Sequence, residues 1–523
     1  MPYEYREFPY LTPGPLAGRP EARHKVVIVG AGPVGLAMAI DLALRGVACV
    51  VLDDNNVVSV GSRAICWAKR TLEIFDRLGV GERIVAKGVT WKIGRTRHRD
   101  RDVFRFDLLP ESGHKMPAFV NLQQYYVEQF LVERCRDFPD LIDLRFRNRV
   151  VAVNQSDACA TATVSTPDGV YEIEADYLLA CDGATSPLRS LLGLDFAGEL
   201  FEERFLIADI VMAADFPPER WFWFEPPFHT GQSALLHKQP DDIYRIDLQL
   251  GWDADPEEER KPENVIPRIE KVVEGRPFTL DWVSVYTFQC RRLERFTHDR
   301  VIFVGDSAHV VSPFGARGGN GGVQDVDNLG WKLAAALTGD AGARLLQTYD
   351  SERIAGADEN ILNSARATRF MSPAPGAERL FRDAVLALAA EAPFAREMVN
   401  SGRLSRPCAY ADSPLNGPDD AELPASAAPG WPAPDAPLGE GWLLERLGEG
   451  FVFLGLNTAP PRPTGAASLR LDAEGALKSR YLGAAAGAVY LIRPDQHVAA
   501  RWRAAPDAAT AAAALAKAKG ADA

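Results

Sequence analysis

The chain has 523 residues, 47% hydrophobic and 25% charged. Those proportions are ordinary for a globular protein and exclude a wholly disordered chain, a collagen and a coiled coil. Lys+Arg total 58 against 71 Asp+Glu, a net charge of −13, and a nucleic-acid binder would usually carry a basic excess.

At ~150 residues per domain the length predicts about three to four units, or fewer large ones. Residues 1–24 hold five prolines and read as an extended arm, with no basic segment and apolar run of a signal peptide. Val26–Ile40 is the most apolar stretch, but it is interrupted by three glycines and a proline and is too short to span a bilayer. A soluble cytoplasmic protein with no membrane partner is expected. The seven cysteines, at 49, 66, 135, 159, 181, 290 and 408, include no C-x-x-C pair. They read as buried free thiols in a reducing cytosol. The eight histidines have no metal-ligand spacing, so no metal is expected.

Val26–Val29 is a continuous apolar run, the mark of a buried parallel strand. A glycine-rich turn follows, then a helix pattern to Arg45 that Gly46 stops, then a second strand at Cys49–Leu52. Strand, turn, helix, strand begins a doubly wound sheet. Between about 145 and 180, Thr161–Ser165 and Tyr171–Ile173 alternate around the turn Pro167-Asp168-Gly169, which predicts a β-hairpin. Residues 200–290 are strand-like and aromatic, predicting a second sheet layer. Val301–Val304 returns to a buried strand, and helical periodicity runs from Val323 to about Asn400. Residues 404–440 contain eight prolines and predict a linker or an extended wrap. Beyond them come strands at Phe451–Leu454 and Ala488–Ile492 and an Ala-rich helix at Ala505–Lys519.

The first chemical motif is Gly30-Ala31-Gly32-Pro33-Val34-Gly35, between strand and helix. Gly30 permits the tight turn, Gly32 lets backbone amides approach a pyrophosphate at the helix N-terminus, and Gly35 allows helix to pack on strand. Asp53 ends the second strand, where a carboxylate can accept from a ribose hydroxyl. The pattern fits a dinucleotide and does not itself separate NAD from FAD.

Two later segments read LLACDGATSPLR (Leu178–Arg189) and RVIFVGDSAHVVSPFGARGGNGGVQDVDNLGWKL (Arg300–Leu333). With the glycine fingerprint they resemble the three signatures of the class A flavoprotein monooxygenases, the p-hydroxybenzoate hydroxylase-like aromatic hydroxylases. Ser62–Glu73 and Gln124–Glu128 look like further family segments. The resemblance covers about residues 25–400.

The resemblance implies FAD, with Arg63 and Gln124 at positions that contact it. Asp182, Gly183 and Arg189 match a motif that serves structure and, indirectly, the cofactors. Asp306 would accept from a ribityl hydroxyl. Pro313 would lie beside the flavin's reactive edge. The amides of Gly318, Gly319, Asn320, Gly321 and Gly322, with the helix dipole, would stabilise negative charge on the reduced ring. His309 reads as structural. The aromatic segment 221–288 and the loop 313–320 would line the substrate pocket. Departures are Asp53 for the commoner Glu, Asp54 where a basic residue is frequent, and Arg317, which would steer an anionic substrate or only fix its loop.

Gly430–Leu438, Phe451–Leu454 and Tyr490–Arg503 look like the thioredoxin-like tail of phenol hydroxylase and 3-(3-hydroxyphenyl)propionate hydroxylase relatives. Without paired cysteines, redox work by this tail is not expected.

The expected fold is α/β: a Rossmann-like FAD-binding domain over 25–403 with an inserted mixed β-sheet substrate domain at about 200–290, then a thioredoxin-like α/β domain over 441–523. The function implied is hydroxylation of a small aromatic, phenolic substrate: NADH or NADPH reduces FAD, and dioxygen gives a flavin C4a-hydroperoxide that attacks the ring. No residue is assigned as catalytic base, and homodimerisation is left open. The alternatives are a flavin-dependent halogenase, through Trp221-Phe222-Trp223-Phe224-Glu225-Pro226, an aromatic oxidase or dehydrogenase, and a non-catalytic flavin-binding sensor or accessory protein.

Overall fold

The computed structural model describes residues 3–61, 63–251, 253–342, 344–399, 404 and 406–521; Ser62 of the Ser62–Glu73 segment and Asn400 lie outside them. Five parallel strands form the centre of the first, eight-stranded sheet, in the order Val301–Phe303, Gly169–Ala180, His24–Val29, Cys49–Asp53, Ile142–Phe146. Val27 pairs with Leu178 on one side and Val50 on the other. The hairpin forms as expected, Ala160–Thr166 against Gly169–Ala180, and its second strand runs on into the parallel sheet.

The helix Pro33–Leu44 is buried along almost its whole length, from Gly35 to Ala43. It is hydrophobic all round because it lies between the sheet and the long helix Gly318–Thr338. That long helix starts five residues before the Val323 expected from periodicity. Its glycines are its first turns, which an apolar-period reading counts as loop.

The second sheet is larger than the 200–290 window. It orders His309–Val310, Thr279–Arg292, Ala197–Val211, Ile243–Leu250, Ser233–Lys238, Glu219–Phe224, Ile93–His98 and Arg101–Asp107. The last two come from far earlier in the chain, and Ile93–His98 joins Glu219–Phe224 in parallel. Side chains alternate across this sheet. Trp223 packs on the far face with Val265, Ile269 and Val272 of the helix Pro262–Val272. Phe222 and Phe224 pack on the near face with Val385, Leu386 and Ala389 of the helix Ala377–Ala389.

The proline-rich stretch is an extended wrap: Leu404, Cys408, Tyr410, Leu415, Leu423, Ala433 and Ala436 are all buried. The tail has a four-stranded sheet ordered Ala467–Leu471, Val452–Leu456, Ala488–Ile492, Val498–Trp502, its first pair parallel and the others antiparallel. A helix at Ala508–Ala518 closes it, capped by Asp507 accepting from the Thr510 amide. All seven cysteines are free thiols; Cys66 and Cys159 are only half-buried. Among the described residues no helix is long and apolar enough to cross a membrane.

Candidate active site

The expected site residues converge on one cleft of about 860 Å³ between the two large sheets. Gly30, Gly32, Pro33, Val34, Asp53, Arg63, Gln124, Asp182, Asp306, Pro313, Gly318, Gly319 and Asn320 all line it. Gly35 does not. It sits under the turn, where a Cβ would lie 1.9 Å from the Gly30 carbonyl oxygen.

The turn is forced by contact. Gly30 has φ +107°, and a Cβ there would lie 2.4 Å from the Cys181 oxygen. The glycine fingerprint is thereby pressed against the segment carrying Asp182. At Gly322 a Cβ would lie 2.7 Å from Val34 Cγ2, so the two buried helices approach only with glycine there. Gly32 has open space beside it, at the N-terminus of the helix Pro33–Leu44, the position where an anion is favoured.

The carboxylates differ in what holds them. Asp53 accepts the Ala31 amide at 2.6 Å and the Asn55 amide at 2.8 Å, which seats it against the turn. Asp182 accepts from Ser186 Oγ at 2.7 Å and the Leu188 amide at 2.9 Å, so it caps its own loop. Asp306 accepts from no donor among the described residues, and burial pushes its carboxyl up. A desolvated carboxylate without a donor fits a ligand hydroxyl.

Several expected contacts have structural partners. Gln124 accepts the Ala64 amide at 3.1 Å and donates to Glu128 at 2.7 Å. Asn320 accepts the Ala68 amide and donates to the Cys66 carbonyl, both at 2.8 Å, locking the strand Cys66–Ala68 to the long helix. Arg189 donates to the Ser307 carbonyl at 3.0 Å, tying the second motif to the Asp306 loop. Arg317 is 3% exposed and donates to Asn360 at 2.9 Å, which fixes its loop. His309 is absent from the cleft lining and bonds Asp325 at 2.7 Å.

The opposite wall is Ile207, Trp282, Tyr286, Phe288 and Phe314, with Arg220, His237, Arg245 and Asp247. Of the aromatic rings in the segment 221–288, Trp282, Tyr286 and Phe288 line the cleft. Trp221 and Trp223 contact one another edge-on, away from it.

A family model described as FAD binding domain matches residues 23–364. The chain belongs to the FAD-binding domain family. It is 32% identical over 380 residues to a flavin-dependent monooxygenase of Mycobacteroides abscessus, covering 67% of this chain and 76% of that one. It is 28% identical over 443 residues to a 3-(3-hydroxy-phenyl)propionate/3-hydroxycinnamic acid hydroxylase of Mycolicibacterium smegmatis, covering 83% and 77%. The structure of p-nitrophenol 4-monooxygenase from Pseudomonas putida matches 74% of this chain and 99% of its own at TM-score 0.65 and 26% identity. The flavin-dependent monooxygenase PieE, in complex with FAD and substrate, matches 96% and 100% at TM-score 0.81 and 22% identity. This chain is an FAD-dependent monooxygenase.

Sequence reasoning missed the polar wall of this monooxygenase. Arg220, His237 and Asp247 come from three strands, and only the strand register brings them together. It also missed Asp325, which accepts the Gly305 amide at 2.9 Å and so holds the turn that presents Asp306. The acidic spacing along the long helix was the available signal. His98, Glu225 and Asp383 are grouped as metal ligands could be, but Arg379 and Arg382 both bind Glu225.

Proposed function

We propose that this monooxygenase uses a reduced nicotinamide, NADH or NADPH, and dioxygen to hydroxylate an aromatic, phenolic ring. The observation that carries the reading is the cleft itself. Its one wall is Asp306, Pro313 and the N-terminus of the helix Gly318–Thr338, and its other is Trp282, Tyr286, Phe288 and Phe314. The names of the aromatic hydroxylases it resembles support the same substrate class.

The residues present fit FAD. Gly30, Gly32, Pro33 and Val34 would take the pyrophosphate on the helix N-terminus, with Gly35 allowing the close packing below. Asp53 would accept from the ribose, and Asp306 from a ribityl hydroxyl. Arg63 and Gln124 would border the cofactor, and Asp182 would shape its loop. Amides of Gly318, Gly319 and Asn320 would face negative charge on the ring, and Pro313 would set the shape of the oxygen-binding edge. Bound FAD supplies the redox chemistry, accepting a hydride and activating dioxygen. The aromatic wall holds the substrate ring and excludes water. The seven free thiols, five of them buried, fit a reducing cytoplasm.

The test is a panel of phenols scored by reduced-nicotinamide oxidation and by product mass. Turnover that adds one oxygen supports the reading. Nicotinamide oxidation with no oxygenated product from any phenol contradicts it.

A further inference from the structure

We propose that Asp247 accepts the hydroxyl proton of a phenolic substrate, positioned by His237, and that Arg220 holds the resulting phenolate. The proposal rests on the aromatic-hydroxylase reading above.

The sheet builds this wall by register. Ile243–Leu250 pairs with Ser233–Lys238, setting Arg245 opposite His237 and Asp247 opposite Leu235. On its other side Arg245 faces Asp209, and Asp247 faces Ile207. Arg220 stands one residue before Trp221, which pairs with Leu236. Period-2 alternation therefore turns Arg220, His237, Arg245 and Asp247 to the cleft face, and all four line it.

Their partners divide the group. Arg245 is held by Asp209 at 3.1 Å and donates to the Arg63 carbonyl at 2.9 Å. Asp247 Oδ2 lies 3.3 Å from His237 Nε2. Arg220 is 3% exposed, yet among the described residues it has no ion-paired carboxylate; its contacts are Cys66 Sγ at 4.0 Å and the Phe222 ring. Three atoms here are buried without a hydrogen bond: Arg220 Nε, His237 Nε2 and Asp247 Oδ1. Buried polar atoms are rarely left so. His237 Nε2 has its Asp247 contact at 3.3 Å; the remaining donor, Arg220 Nε, and acceptor, Asp247 Oδ1, match a hydroxyl, which both donates and accepts.

The proton balance is simple. The phenol O–H bond breaks and an O–H bond forms at Asp247 Oδ1. The electron pair stays on the substrate oxygen beside Arg220, where it enriches the ring for attack. A carboxylate is a weak base toward a phenol, and the guanidinium narrows that gap by stabilising the phenolate. The charged and titratable groups facing the pair are Cys66, Asp209, Arg220, Arg245 and Tyr286. Burial opposes ionisation of Asp247, but His237, Arg245 and Arg220 outweigh it and hold its pKa below the usual value. Asp247 is therefore ionised at neutral pH; the same shift weakens it as a base, so the proton moves to it only as the Arg220 guanidinium takes up the phenolate charge.

The experiment compares the FAD-loaded native chain with Asp247→Asn and Arg220→Gln over phenols of graded acidity. Binding is read from perturbation of the flavin absorbance, and turnover from product. Asp247→Asn should lower kcat by roughly a hundredfold for weakly acidic phenols, and the deficit should vanish for phenols already ionised at the assay pH. Arg220→Gln should show the opposite bias, weakening binding most for ionised phenols, with partial rescue by Arg220→Lys. Should Asp247→Asn fail to fold, His237→Gln carries the same comparison. A deficit independent of phenol acidity overturns the proposal while leaving the hydroxylase reading intact. A native enzyme that oxygenates no phenol overturns the hydroxylase reading instead.

Discussion

His309 Nε2 lies 2.7 Å from Asp325 Oδ2, with both side chains out of contact with water. The same carboxylate accepts the Gly305 amide at 2.9 Å and is ion-paired to Arg353. Arg353 in turn donates to the Tyr410 hydroxyl at 2.9 Å. A buried chain thus runs from the proline-rich wrap to the turn before Asp306.

Replacing Asp325 with Asn should be costly. It strands the fully buried Arg353 guanidinium, a change worth about 3–5 kcal/mol. Denaturant unfolding of the native and Asp325→Asn proteins measures it. An unchanged midpoint would show that the network carries no stability.

Asp306→Ala should act on the cofactor rather than on the fold. Loss of a charge-assisted hydrogen bond is worth ~1.5–3 kcal/mol, or roughly ten- to a hundredfold in FAD affinity. Fluorescence titration of the FAD-free protein reads this directly. Native affinity in the variant contradicts the role given to Asp306.

The wall of the cleft that carries the glycines and Asp53 was legible because its residues are local. Gly30 to Gly35 lie in one strand–turn–helix unit, Asp53 ends the next strand, and Gly305-Asp306 follow the strand Val301–Phe303, so each is written in a short run of consecutive residues. The opposite wall was not, because Arg220, His237 and Asp247 meet only through strand register. The strands Ile93–His98 and Arg101–Asp107 were missed for the same reason. The helix Pro262–Val272 was hidden by Pro267 within it. The start of the long helix was hidden by its glycines.

Acid sensitivity should be traceable to His237. Burial, then Arg220, pushes its pKa down to about 4 from 6.5. Between those values the unfolded chain binds a proton that the folded chain does not, so stability falls as pH falls from 6.5 to 4. The full effect is about 3 kcal/mol at 1.36 kcal/mol per unit. Comparing unfolding free energies at both ends, His237→Gln should lose less stability than the native protein by that order. Parallel losses in the two proteins would contradict the assignment.

The tail should matter for packing and not for electron transfer. Arg493 binds Glu352 at 2.6 Å, and both side chains are fully buried. Phe451 of the tail meets Trp331 of the long helix edge-on. Removing the residues beyond about 404 should uncover this surface and lower solubility. Cys408, whose thiol burial pushes up to about 12, has no dithiol partner in the tail. Cys408→Ser should therefore keep native turnover per bound FAD. Loss of flavin reduction in a Cys408→Ser enzyme that retains its FAD would give the tail a redox role.

Oxygen transfer to an aromatic ring is expected in the cleft between Asp306 and Trp282. The direct measurement is turnover of the FAD-loaded chain under isotope-labelled dioxygen, with a phenol and reduced nicotinamide, followed by mass analysis of the product. One labelled oxygen atom on the ring is the expected result. An oxidised product without label, or a product whose oxygen comes from water, would contradict the account.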